Sequence, residues 1–82
     1  MLVRMPARVT LYTRVGCHLC ADARETVRST CAALGQEWTE TDIDLDPTLK
    51  DRYGDEVPVA TVDGETVGFW RIDPERLRAA LT

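Results

Sequence analysis

Apolar and polar side chains alternate along residues 8–13. Val9 and Leu11 fall on one side and Thr10 and Tyr12 on the other, which predicts a strand. After a short loop, Arg14-Val15-Gly16, the period changes. Leu19, Ala23, Val27, Thr30, Cys31 and Leu34 recur at spacings of three and four. They make one buried stripe on a helix that starts at Cys17 or His18 and ends at Leu34. Asp22, Arg24, Glu25, Arg28 and Ser29 supply its wet side. Gly35 follows as a C-cap, because glycine accepts positive φ without a steric penalty.

Residues 38–44 alternate again, but only partly in apolar residues, as suits an edge strand. Asp46-Pro47 opens a short helix with the aspartate as N-cap and the proline in its first turn. Leu49 and Tyr53 share its inner face, and Gly54 ends it. Residues 57–62 predict a third strand, Asp63-Gly64 a tight hairpin, and residues 65–70 the returning strand, with Val67 and Phe69 on one face. Trp70 has the opposite parity and is read as packing on the last helix near Leu77, rather than lining a substrate surface. Asp73-Pro74 starts that helix. Ile72 staples onto Leu77, and Leu77, Ala80 and Leu81 form its apolar stripe.

The predicted order is β-α-β-α-β-β-α, an α/β fold. A mixed four-stranded sheet flanked by helices on both faces accommodates it, with the first and third strands central and adjacent. No repeat, linker or low-complexity segment interrupts it. The expected organisation is a flexible N-terminal arm over residues 1–7 and one folded domain over residues 8–82.

Composition narrows the function. The chain has 82 residues, 44% of them hydrophobic, which suffices for one small core. Fourteen acids against ten Lys and Arg give a net charge of -4. That balance, with no basic patch, argues against a nucleic-acid partner. No apolar run approaches the roughly 20 residues of a membrane span. Residues 1–6 are too short for a secretory signal, so the expected location is cytoplasmic.

The chemistry lies in Cys17-His18-Leu19-Cys20, at the handover from strand to helix. The spacing lets the two sulfurs approach and close a disulfide. Free N–H groups at the helix start favour a thiolate at Cys17, below the usual thiol pKa of about 8.5. Cys20, one turn deeper, is expected to be less exposed. This asymmetry suits a dithiol exchanger, in which the outer thiolate attacks and the inner thiol resolves. His18 is a candidate for tuning the Cys17 thiol, and otherwise an exposed turn residue. Arg14, the nearest base, is read either as a grip on an anionic thiol substrate or as a solvated charge. Cys31, eleven residues past Cys20 on the same helix, is roughly 16 Å away and cannot complete a zinc site with the pair. It is read as a small buried hydrophobe. No metal and no permanently bound cofactor are expected in the single chain. Pro58 stands inside an apolar strand pattern, where it removes a ladder bond. A cis Val57-Pro58 bond and a strand-start proline both accommodate it.

Taken together, the strand at residues 9–13, Gly16-Cys17-His18-Leu19-Cys20, Tyr53-Gly54, Val57-Pro58-Val59 and Asp63-Gly64 resemble the glutaredoxin-like branch of the thioredoxin superfamily. The resemblance spans residues 7–82. It implies Cys17 as nucleophile, Cys20 as resolving cysteine and Pro58 as a cis-proline facing the dithiol. It also implies that the Val57 backbone pairs with an extended cysteinyl substrate. The chain departs from ordinary glutaredoxins in three places. His18-Leu19 replaces Pro-Tyr, Glu56 replaces the Thr before Val-Pro, and Gly68-Phe69-Trp70-Arg71-Ile72-Asp73 replaces a Gly-Gly and acidic pair. Glutathione use is therefore not part of what the resemblance implies. The segment from Gly68 through Arg71 to Asp73-Pro74 is similar to redoxins recycled by thioredoxin reductase.

The implied function is a thiol-disulfide oxidoreductase acting as a monomer on protein or small-thiol disulfides. Its electrons would come from an upstream reductase or a low-molecular-weight thiol. The alternative is a non-catalytic thioredoxin-fold binding protein, holding an intersubunit iron–sulfur cluster through Cys17 or docking a partner.

Overall fold

The computed structural model describes residues 7–82. The expected N-terminal arm lies outside the described residues, apart from half-buried Ala7. Strand β1 (Val9–Thr13) buries Val9, Leu11 and Thr13 and leaves Thr10 and Tyr12 half-buried. It sits inside a four-stranded sheet of order β2-β1-β3-β4, parallel to β2 (Trp38–Asp42) and antiparallel to β3 (Val59–Val62). Strand β4 (Glu65–Phe69) returns antiparallel beside β3. The expected mixed sheet, with its first and third strands adjacent at the centre, is the one observed.

Helix α1 (Cys20–Leu34) buries Cys20, Ala23, Val27, Thr30 and Cys31. It ends at Gly35 in the left-handed region (φ +66°), whose N–H donates to the Ala32 carbonyl while that of Gln36 donates to Cys31 at 2.8 Å. Its start falls later than the sequence suggests. The Cys17 N–H turns back to the Arg14 carbonyl at 3.2 Å, and Gly16 takes a φ of +81°. The Ala23 N–H then donates to Leu19 at 3.1 Å, so the helix opens at Cys20. Turns at residues 15–16 and 18–19, with Cys17 between them, connect β1 to α1.

Two other boundaries shift for local reasons. The Asp42 carboxylate accepts the Asp44 N–H at 2.9 Å and winds Ile43–Leu45 into a 3-10 turn, so β2 stops short of residue 44. Strand β3 begins at Val59, since Pro58 has no N–H for the ladder. The Val57–Pro58 peptide is cis.

Helices α2 (Pro47–Tyr53) and α3 (Pro74–Leu81) start as Asp-Pro predicts. The Asp46 and Asp73 carboxylates each accept the N–H two residues on, at 2.9 Å. The hairpin turn places Asp63 (φ +52°) and Gly64 (φ +87°) in the left-handed region, as a two-residue turn between twisted strands requires. An irregularity follows in the ladder. Ala60 pairs with Gly68 but Thr61 pairs with Thr66, leaving Val67 as a bulged residue. The bulge breaks the expected parity of β4. Val67 packs on the cluster of α1 and α3, whereas Phe69 is in register with Val59 of the other cluster.

The two faces of the sheet carry separate cores. Val9, Leu11, Ala60 and Val62 meet Ala23, Val27 and Cys31 of α1 and Leu77 and Leu81 of α3, with Ile72 beside Leu77 in that cluster. On the other face Ile43, Tyr53 and Val59 pack with Tyr12, Leu49 and Val57, and Tyr12 stacks on Tyr53 at 4.6 Å. Among the described residues no helix is long and apolar enough to cross a membrane.

Candidate active site

Cys17 and Cys20 are joined by a disulfide, with their Cα atoms 5.4 Å apart. Their environments differ. Cys17 is half-buried between the two turns, whereas Cys20, already inside α1, is 2% exposed. The bond to Cys20 places the Cys17 sulfur beside the N-terminal end of α1, where N–H groups without helical partners gather. Cys17 itself is therefore not a helical residue. Its closeness to the helix start comes through its sulfur.

The handover from β1 to α1 is braced by charged forks. The buried Thr13 hydroxyl donates to Glu40 of β2 at 2.9 Å. Arg24, one turn into α1, donates to both oxygens of the same carboxylate at 2.6 and 2.8 Å. The Arg24 bonds, reinforced by Thr13, hold the Glu40 carboxyl below its ordinary pKa against the opposing effect of burial. Glu40 is thus kept as a carboxylate that ties β1, β2 and the start of α1 together, and it is poorly suited to accept a proton from a thiol.

Arg14 enters the same region by another pair. Its Nε donates to the Asp44 carboxylate at 3.1 Å, linking the loop before Cys17 to the 3-10 turn. The charge proposed to face a substrate is thus already compensated within the chain. Val15 and Leu45, which adjoin this pair, are 86% and 84% exposed. His18 is exposed and hydrogen-bonds to none of the described residues. Cys31 is fully buried in the core, and burial pushes its thiol pKa up, as expected of a packing cysteine. Among the described residues, no group of three or more His, Cys, Asp or Glu is placed to hold a metal ion.

Tyr12 of β1 pairs with Val59 of β3, and the next step along that register reaches Thr13 and Pro58. Adjacent strands thus deliver the dithiol loop and the Val57-Pro58 segment to the same end of the sheet. Pro58 is buried and Val57 half-buried. Trp70 departs from its predicted place. It takes a φ of +61°, is 54% exposed and belongs to neither core cluster. Its left-handed backbone ends β4 and turns the ring away from the parity of a continuing strand. Trp70 lines a groove of about 180 Å³ with Leu19, Asp22, Ala23, Arg71 and Ile72. Its edge-on neighbour is Phe69, at 5.2 Å between ring centroids. Periodicity cannot reveal this placement, because a single left-handed residue resets the parity on which periodicity depends.

A cysteine pair at the end of the first strand, a cis-proline before the third and this sheet order define a thioredoxin-like protein of the small, glutaredoxin-like kind. The family model described as "Glutaredoxin-like domain (DUF836)" matches residues 8–82, and the chain belongs to that family. An uncharacterized protein of Mycobacterium tuberculosis is 34% identical over 77 residues, covering 88% of this chain and 79% of the relative. Two solved structures share the fold. An X-ray structure of a structural-genomics target protein from X. campestris has 38% identity and a TM-score of 0.73, covering 89% of this chain and 93% of that one. A solution structure of a protein from Nitrosomonas europaea has 26% identity and a TM-score of 0.77, with each chain covered fully.

Proposed function

We propose that the chain is a thiol-disulfide oxidoreductase working by dithiol exchange. The observation that carries this reading is the Cys17–Cys20 disulfide at the start of α1, with one cysteine half-buried and the other buried. Membership of a glutaredoxin-like family supports it.

In the reduced chain, the Cys17 thiolate attacks one sulfur of a substrate disulfide. A Cys17–substrate disulfide forms, the substrate S–S bond breaks, and the departing sulfur leaves as a thiolate that takes a proton. Cys20 then loses its proton and attacks the Cys17 sulfur. The Cys17–Cys20 bond closes and the second substrate thiol departs. The substrate disulfide gains two electrons and two protons, and the chain ends in its disulfide form. A reductase or a low-molecular-weight thiol returns the electrons, so no bound cofactor is needed. Val57 and Pro58 form the substrate-facing segment, with the Val57 main chain pairing with an extended cysteinyl peptide. Arg14, paired with Asp44 in the resting chain, grips an anionic thiol substrate only by exchanging that partner, and His18 tunes the Cys17 thiol. The protein works as a monomer in the cytoplasm on protein or small-thiol disulfides.

The direct test mixes the pre-reduced chain with a peptide disulfide and quenches with an alkylating agent. One equivalent of chain is expected to release one equivalent of reduced peptide disulfide and to acquire the Cys17–Cys20 bond, read by mass. Free cysteines on the chain and an intact substrate after long incubation would refute the reading.

A further inference from the structure

Trp70 is bound to the segment ahead of β3 by both of its N–H groups. Its backbone N–H is shared between the carbonyls of Pro58 at 2.9 Å and Glu56 at 3.3 Å. Its indole Nε1 donates to the Asp55 carbonyl at 3.0 Å. The Glu56 N–H is also engaged, by Tyr53 at 2.9 Å. Three of the four carbonyls over residues 55–58 therefore accept from Trp70, and the remaining one belongs to Val57. Among the described residues, neither the N–H nor the C=O of Val57 has a hydrogen-bond partner. Val57 is half-buried, and its main-chain donor and acceptor stand open side by side, as those of an unpaired strand edge do.

Trp70 itself stands at a φ of +61°, a conformation unfavourable to a bulky side chain. Such a conformation persists only where its surroundings over-determine it. Here the left-handed turn is what lets one residue reach the segment with both its backbone and its ring.

We propose that Trp70 is the positioning residue of the substrate strand site. By engaging Asp55, Glu56 and Pro58, it holds the segment so that the Val57 N–H and C=O stay open for an incoming peptide main chain. This inference rests on the dithiol-exchange reading and deepens it in substrate class. It makes disulfides carried on an extended peptide the favoured substrates over disulfides without a main chain.

The test compares two substrates that share a leaving group. One is a short peptide whose cysteine is disulfide-bonded to 2-mercaptoethanol. The other is bis(2-hydroxyethyl) disulfide, which has no main chain to pair. Single-turnover rates are measured with the pre-reduced full chain and with Trp70→Phe, which keeps a ring but loses the indole donor. The half-saturating peptide concentration is expected to rise about three- to tenfold, the effect of one net hydrogen bond. The plateau rate and the rate with bis(2-hydroxyethyl) disulfide are expected to stay within about twofold by the same reasoning. Trp70→Gly, which tolerates the left-handed backbone, is expected to show the same selective loss and covers the case in which the phenylalanine variant fails to fold. Equal losses on both substrates, or none on either, would overturn the assignment while leaving dithiol exchange intact. A wild-type chain that reduces neither substrate would overturn dithiol exchange, and the role of Trp70 with it.

Discussion

Replacing Cys17 by serine will reduce disulfide exchange to background, because a neutral hydroxyl cannot take the place of a thiolate nucleophile. Replacing Cys20 by serine will do something different. Cys17 will still attack, but nothing within the chain will resolve the intermediate. With no added thiol, a mixed disulfide on Cys17 will accumulate to near one per chain and will appear in the intact mass. The difference follows from placement: Cys17 is half-buried ahead of α1, whereas Cys20 is 2% exposed inside it. Similar residual activity in the two variants would show that neither sulfur holds a distinct role. Trapping on Cys20 in the Cys17→Ser variant would reverse the assignment. Cys31 is fully buried with a raised pKa, so it is not expected to substitute for either.

The largest effect on folding is expected at Leu11. Its side chain is fully buried in the middle of β1, and its backbone is in register with Glu40 on one side and Ala60 on the other. Leu11→Ala removes most of a side chain from a site the sheet cannot close around, since strands flank it on both sides. The expected destabilisation is about 2–5 kcal/mol. Domains commonly have only about 5–15 kcal/mol of stability, and short chains fall toward the lower end. The midpoint of urea unfolding should therefore fall sharply, with a substantial unfolded fraction even without urea. A change below about 1 kcal/mol would mean that the site repacks, contrary to the close packing of native cores. The functional consequence is direct, because β1 carries the loop that ends in Cys17.

The sequence makes legible those features whose cause is local. The α1 stripe, the left-handed stop at Gly35, the Asp-Pro caps at Asp46 and Asp73 and the Asp63-Gly64 turn each depend on residues a few positions apart. The same is true of the cysteine pair, whose spacing alone permits the disulfide. What escapes the sequence depends on partners distant along the chain. The start of α1 is set by a backbone turn onto Arg14 rather than by a capping side chain. The bulge at Val67 separates it from Phe69 and cannot be read from an alternating pattern. Arg14 meets Asp44 and Arg24 meets Glu40, pairings that require the sheet to exist first. Trp70 is the clearest case. Its chemistry lies in two donors aimed at residues 55–58, and its conformation is one that propensity disfavours in a bulky residue.

The central claim is that Cys17 is an activated exchange thiol, and its alkylation rate against pH tests that most directly. The reduced full chain is treated briefly with iodoacetamide across the pH range, and the label is located by peptide mass. An apparent pKa for Cys17 clearly below the ordinary value of about 8.5, with Cys20 and Cys31 slow, is the result expected of a thiolate held at the start of α1. An ordinary or raised pKa, with no preference for Cys17 over Cys20, would contradict the claim and leave the pair without an exchange function.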